Sequence, residues 1–154
     1  MNTLPFPDGL MAMLRAQSTS IAETIAQRMK AEVPSYAALP HEMLLNQNKQ
    51  TVEYIAAMMN GSDFSVAREY FEQLTDTRIR AGIPTADFLQ AMDLVVAAVN
   101  ERIQHTYAAD PEYRDKALRL FHAGDAFARN VAGRTQLRQV VEQTVPPRKQ
   151  RPLR

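Results

Sequence analysis

An all-α domain is the fold class this sequence predicts, and three observations predict it. Apolar residues recur at three- and four-residue intervals over long stretches, which is the spacing of one helix face. No stretch alternates polar and apolar residues as a half-buried strand does, and no Asn-Gly or Asp-Gly pair lies between two alternating runs. The nine prolines fall between the periodic segments rather than inside them, where each marks a helix boundary.

Taken in order, the first helical segment runs from about Asp8 to Val33, with a break near Gln17–Ser20. Ser20-Ile21-Ala22-Glu23 has the form of a capping box, in which serine and glutamate satisfy each other's free amides. Ile21, Ile25 and Met29 form its apolar stripe, and Pro34-Ser35-Tyr36 ends it. A second helix spans about His41 to Asn60, with Leu45, Val52, Ile55 and Met59 on one face and Asn60-Gly61 as its cap. The third starts from Asp63 as N-cap and reaches about Ala81; it buries Phe64, Ala67, Phe71 and Leu74 before Gly82 and Pro84 stop it. A fourth covers Thr85 to about Tyr107. Asp110-Pro111, an N-cap followed by proline at the first helical position, opens a long fifth helix that reaches about Thr144.

The fourth helix is the most informative. Leu89, Met92, Val96, Val99, Ile103 and Thr106 follow a 3-4-3-4-3 spacing, the pattern of a coiled-coil seam. Phe88, Ala91, Leu94, Val95 and Ala98 make the adjoining face apolar too, so the helix wants two partners. The fifth helix offers a matching surface through Ala117, Leu120, Phe121, Gly124, Phe127, Ala128 and Val131. Two readings stand: these helices are the domain's central core, or they pair with a second copy of the chain.

The residue inventory argues against an enzyme. The chain has no cysteine, which removes disulfides and thiolate sites and fits a reducing cytoplasm. His41, His105 and His122 are not paired at ligand spacing, and no Glu-x-x-His or His-Glu-x-x-His pattern occurs. Glycines never cluster into a phosphate loop or dinucleotide fingerprint, and no Gly-x-Ser-x-Gly elbow is present. Glu69, Glu72 and Asp76, like Glu112 and Asp115, read as solvated helix faces. Arg78 and Arg80 crowd one helix end, where the dipole favours cations; an anion or signal contact is their functional alternative. Asp93 and Asp125 have Arg102 and Arg129 available as salt-bridge partners.

Charge narrows the partners. Arg148, Lys149, Arg151 and Arg154 leave 14 basic against 17 acidic residues before them, so the body is mildly acidic. That disfavours nucleic-acid binding, and residues 146–154 read as a solvated basic tail or linker. No stretch is apolar for the roughly 18 residues a membrane span needs. The first ten residues hold Asp8 and no basic residue, unlike a signal peptide.

Arg78-Ile79-Arg80-Ala81-Gly82-Ile83-Pro84, followed by Phe88-Leu89-Gln90-Ala91, resembles a recurring motif of the N-terminal domains of RsbR-type stressosome proteins, the RsbT co-antagonist family. Pro34-Ser35-Tyr36 and Leu39-Pro40 are similar to that family's loop after the first helices, and the likeness runs from about Ser18 to Val141. The resemblance implies a haem-free, globin-like bundle of five to six helices over residues 1–145, ending in two long helices. It also implies a cytoplasmic, non-enzymatic sensor domain that dimerises through those two helices and acts with other stressosome-type regulatory proteins. The implied interface is Leu89, Met92, Val96, Val99 and Ile103 with Leu120, Phe127 and Val131. No STAS domain follows in this sequence, which leaves an excised sensor region and a stand-alone protein both open. The rival reading is a globin-like binder of haem or another small molecule. Haem needs an axial ligand, and the Asp63–Ala81 helix that would supply a proximal histidine has none. No cofactor is therefore expected.

Overall fold

The computed structural model describes residues 4–59 and 64–144, and among them six α-helices and one 3-10 turn account for all regular structure. The helices are α1 (Asp8–Ala16), α2 (Ser18–Glu32), α3 (His41–Met58), α4 (Phe64–Arg80), α5 (Thr85–Thr106) and α6 (Pro111–Thr144), with the 3-10 turn at Pro34–Tyr36 between α2 and α3. The expected Asn60-Gly61 cap, the Asp63 N-cap and the basic tail lie outside the described residues.

Helices α2 and α3 form an antiparallel pair, with Ser18 Oγ 3.3 Å from Glu53 Oε1 at one end and Asn48 Nδ2 3.4 Å from Met29 Sδ further along. Ile21, Ile25 and Met29 are buried there as their spacing predicts, opposite Leu44, Val52 and Ile55. Lys30 Nζ closes the connection by donating to the carbonyls of Ala37 and Leu39 at 3.1 and 2.6 Å. Helix α5 crosses the other side of α2, tied by Arg102 to Gln17 and Ser20 and by Gln90 to the Glu32 carbonyl. Helix α4 runs antiparallel to α3 and parallel to α6, on which Phe64 meets Phe127 at a centroid distance of 5.6 Å. Phe121, fully buried on α6, anchors that helix; a buried ring of this kind contributes roughly 1.5–3 kcal/mol.

Three local expectations are corrected. Ser20 is not an N-cap: α2 starts at Ser18, with only Gln17 between it and α1, and the Gln17 carbonyl already accepts the Ile21 amide at 2.9 Å. Ser20 is already inside the first turn of α2, and its hydroxyl accepts from Arg102 instead. Phe64 is 44% exposed rather than core, because it opens α4 at the edge of the bundle, beside the end of α3 and the flank of α6. On α3 the core residue is Leu44, while Leu45 is half-buried.

Other end signals work as expected. Asp110 Oδ1 accepts the Tyr113 amide at 3.2 Å, capping α6 ahead of Pro111. Helix α4 closes with the paired bonds of a Schellman motif, Ile83 N to Arg78 O at 3.1 Å and Gly82 N to Ile79 O at 3.0 Å. Gly82 has φ +77, the left-handed conformation this closure requires.

Candidate functional site

A cavity of about 50 Å³ lies where α2, α3, α4, α5 and α6 converge. Its apolar wall includes Ile55, Phe71, Phe88, Met92, Val95 and Ala128, all on stripes that the helical spacing turns inward. Its polar wall is supplied by Tyr36 at the 3-10 turn, by Gln47, Asn48 and Thr51 on α3, and by Arg78 on α4.

Arg78 dominates the cavity. It continues the inward face of α4 through Ala67, Phe71 and Thr75, and the residue is 5% exposed. Its Nε donates to Tyr36 Oη at 3.3 Å, its Nη2 donates to Gln47 Oε1, and the guanidinium stands 5.3 Å from the centre of the Tyr36 ring. Among the described residues Arg78 forms no ion pair, and Nη1 has no acceptor. A cation taken out of water without a counter-charge is costly, and cation–π stacking and two neutral acceptors compensate only in part. Asn48 is similarly under-engaged: buried in the same wall, its Nδ2 finds among the described residues the Met29 sulfur alone, a weak acceptor.

The surrounding hydroxyls hold this wall rigid. Tyr70 Oη lies 2.7 Å from Thr51 Oγ1 and 2.8 Å from the Gln47 carbonyl, which Thr51 also reaches at 2.9 Å. Burial pushes the Tyr70 hydroxyl up to about 12, against a smaller downward pull from Thr51 and Arg78. Burial likewise raises Tyr36, although Arg78 beside it works the other way. Both phenols are therefore neutral donors or acceptors across the physiological range. Asp125, at the α6 edge of the cavity, is not available to Arg78. Both its oxygens accept from Arg129 Nε, at 3.1 and 2.9 Å, and Arg129 Nη2 also reaches Asp93 at 2.7 Å.

The two arginines expected to act together are separated. Arg80 points to solvent and pairs with Asp76 at 3.0 Å, so only Arg78 belongs to the cavity. The expected seam on α5 divides by depth. Leu89 is 40% exposed, Met92 and Val96 are half-buried, and Val99 and Ile103 are wholly covered within the chain. A strict heptad drifts about 20° per repeat around a straight helix, which carries the later seam residues toward the chain's own core. On α6, Val131 is buried and Leu120 and Phe127 are half-buried against the α3–α4 side, so this face is turned inward. Met92 alone of the expected seam also lines the cavity.

Haem does not fit this site. A cavity of about 50 Å³ is far smaller than a porphyrin needs, and no histidine lines it. His122 bonds Asn100 at 3.0 Å on the outer side of α5 and α6, and His105 is exposed. No group of three metal-ligating side chains occurs among the described residues, and none of the described helices is long and apolar enough to cross a membrane.

Sequence reasoning missed Tyr36, Gln47, Asn48 and Thr51 as cavity residues. The signal was the placing of Asn48 and Thr51 at helical spacing between Leu44 and Ile55, two polar residues on a buried stripe.

No curated protein and no solved structure matches the chain. Residues 19–145 match the family model described as the RsbT co-antagonist protein rsbRD N-terminal domain. That span takes in α2 from its second residue, α3 to α6 and the whole cavity, and it includes the Arg78–Pro84 helix closure that the resemblance rested on. The chain belongs to this family of stress-response regulatory N-terminal domains.

Proposed function

We propose that the chain is the non-enzymatic, globin-like signal-input domain of a bacterial stress-response protein, with residues 1–145 as the domain and 146–154 as a linker or tail. It works as a homodimer paired along α6 and the adjoining edge of α5, and it passes its signal on by repacking these helices.

One observation carries this reading. The outer face of the 34-residue α6 presents Ala123, Ala126, Asn130, Gly133, Leu137 and Val140 at 3-4-3-4-3 spacing, all exposed in the single chain. Leu137 is 65% exposed, and a Cβ placed on Gly133 would meet nothing within 4 Å. Small residues followed by larger apolar ones form a seam that is self-complementary for a second copy, as two-fold pairing requires. Leu89 and Val96 adjoin this face, because Asp93 and Asn100 of α5 reach Arg129 and His122 of α6. The family likeness supports pairing through the last two helices; the exposed stripe supports a face rotated away from Leu120, Phe127 and Val131.

Molar mass by light scattering tests it. Twice the 17.4 kDa chain mass is expected at tens of micromolar, and Leu137→Glu should reduce it to one chain with helicity unchanged. A wild-type monomer, or a Leu137→Glu dimer, overturns the α6 interface.

A further inference from the structure

We propose that the cavity around Arg78 is a binding site for a small carboxylate anion of formate to propionate size, held head-first on the guanidinium. This names the ligand class of the sensor reading above and rests on it for its role, although binding itself does not need the dimer.

The cavity wall carries hydrogen-bond donors that the chain does not match with acceptors of its own. A guanidinium offers five N–H donors in a planar fork whose geometry matches a carboxylate. Arg78 uses two of its nitrogens on Tyr36 and Gln47 and leaves Nη1 without an acceptor among the described residues, in a residue 5% exposed. Asn48 lines the same cavity with an amide whose hydrogen bond goes to sulfur. The acid that lines the cavity, Asp125, accepts from Arg129, and Asp87, which acts on Tyr36 from the side of Ser35, accepts from the Ser35 hydroxyl at 2.6 Å. A donor-rich, positively charged wall facing Ile55, Phe71 and Val95 suits an anion with a short apolar tail better than a fully polar ion such as phosphate. Size sets the limit. At about 50 Å³ the cavity holds on the order of four waters, or a ligand of three to five non-hydrogen atoms.

The route from ligand to dimer is short. Met92 lines the cavity and lies between Leu89 and Val96 on α5, while Ala128 and Ala132 line it from α6, whose opposite side carries Ala126, Asn130 and Gly133. A ligand that fills the cavity therefore presses on the inner faces of both helices proposed to pair.

The test is an NMR titration of the full chain, exchanging sodium chloride for sodium acetate at constant ionic strength, with acetamide as the uncharged isostere. Saturable shifts at Arg78 Nε, the Asn48 side-chain amide and the Met92 methyl are expected with acetate, and binding at least about tenfold weaker with acetamide. Benzoate, too large for the cavity, should give no saturable shift at these groups. Equal response to acetate and acetamide, or none below about 50 mM acetate, overturns the proposal. Phosphate binding as tightly as acetate overturns the carboxylate assignment. Arg78→Gln should abolish the acetate preference; if that variant does not fold, the wild-type comparison of acetate with acetamide decides alone. Light scattering on the same samples separates the two readings. A dimer that ignores acetate sinks only the ligand, and a monomer that binds it sinks only the relay.

Discussion

Two arginines sit between packed helices of this domain and are treated in opposite ways. Arg129, between α5 and α6, meets Asp125 one turn away and Asp93 across the interface. Burial alone would lower its proton affinity, but the two carboxylates more than offset this and raise it. Arg78, between α3 and α4, is more deeply buried and meets no carboxylate among the described residues. The first charge is closed within the chain and reads as a structural clamp. The second is left open beside a cavity. A fold gains nothing from burying an unanswered charge, so Arg129 belongs to the structure of the bundle and Arg78 is the cation open to a ligand.

The sharpest way to break this contrast is to give Arg78 the acid it lacks. Asn48→Asp changes one cavity-wall amide into a carboxylate of nearly the same shape. With Arg78 present, the change should be close to neutral in stability, because each charge answers the other. In an Arg78→Met background the same carboxylate is buried alone and should cost about 3 kcal/mol or more. The coupling energy from a double-mutant cycle, read by urea unfolding, is therefore expected to be favourable by on the order of 2–3 kcal/mol. A coupling near zero means that Arg78 is already neutralised, and the contrast with Arg129 fails. Asn48→Asp should also remove acetate binding while leaving the fold intact.

A second, smaller effect sharpens the difference through pH. Tyr70 belongs to the α3–α4 network, and its hydroxyl is held at about 12 in the folded chain against 10.0 for an open phenol. The folded state binds this proton more tightly than the unfolded state does. Its contribution is thus complete below pH 10 and lost as pH rises from about 10 to 12, with a size on the order of 2–3 kcal/mol. Tyr36 shifts in the same direction. Tyr70→Phe should cost about 1 kcal/mol at neutral pH and flatten the fall in stability between pH 10 and 12. Alkaline unfolding curves that fall equally steeply in both proteins would show that this network does not hold its proton as described.

Much of this architecture was legible in the sequence, and what was not has a physical reason. Helix number, order and most boundaries follow from period and punctuation, because apolar spacing and proline act locally. Periodicity reports which residues share a face and says nothing of what covers that face. Val99 and Ile103 share a seam with Leu89, yet they are covered within the chain while Leu89 is left in the open. The same gap hid the outer stripe of α6. Ala123, Ala126 and Gly133 carry little hydrophobic signal, and their meaning comes from being exposed together. For the cavity, Arg78 stood out only as one of two arginines at a helix end. Its place on the stripe of Ala67, Phe71 and Thr75 distinguishes it from Arg80, and that distinction is a matter of two residues in register.

The register is set by Gly82, which makes this glycine the smallest and most specific lever on the contrast. Its φ of +77 lets the Ile83 amide turn back to the Arg78 carbonyl, so the closing bond of α4 lands on the residue whose side chain enters the cavity. A Cβ at this position meets nothing within 4 Å, so alanine introduces no clash and only the backbone strain remains. Gly82→Ala should therefore cost about 1 kcal/mol in thermal or urea unfolding. The strain falls on the turn that holds Arg78, while Arg129 lies on α6 outside that turn. In heteronuclear spectra of Gly82→Ala, the Arg78 Nε signal should move or broaden and the Arg129 Nε signal should stay in place. If both move together, the two arginines belong to one coupled network, and the division between a structural and a ligand-binding cation must be redrawn.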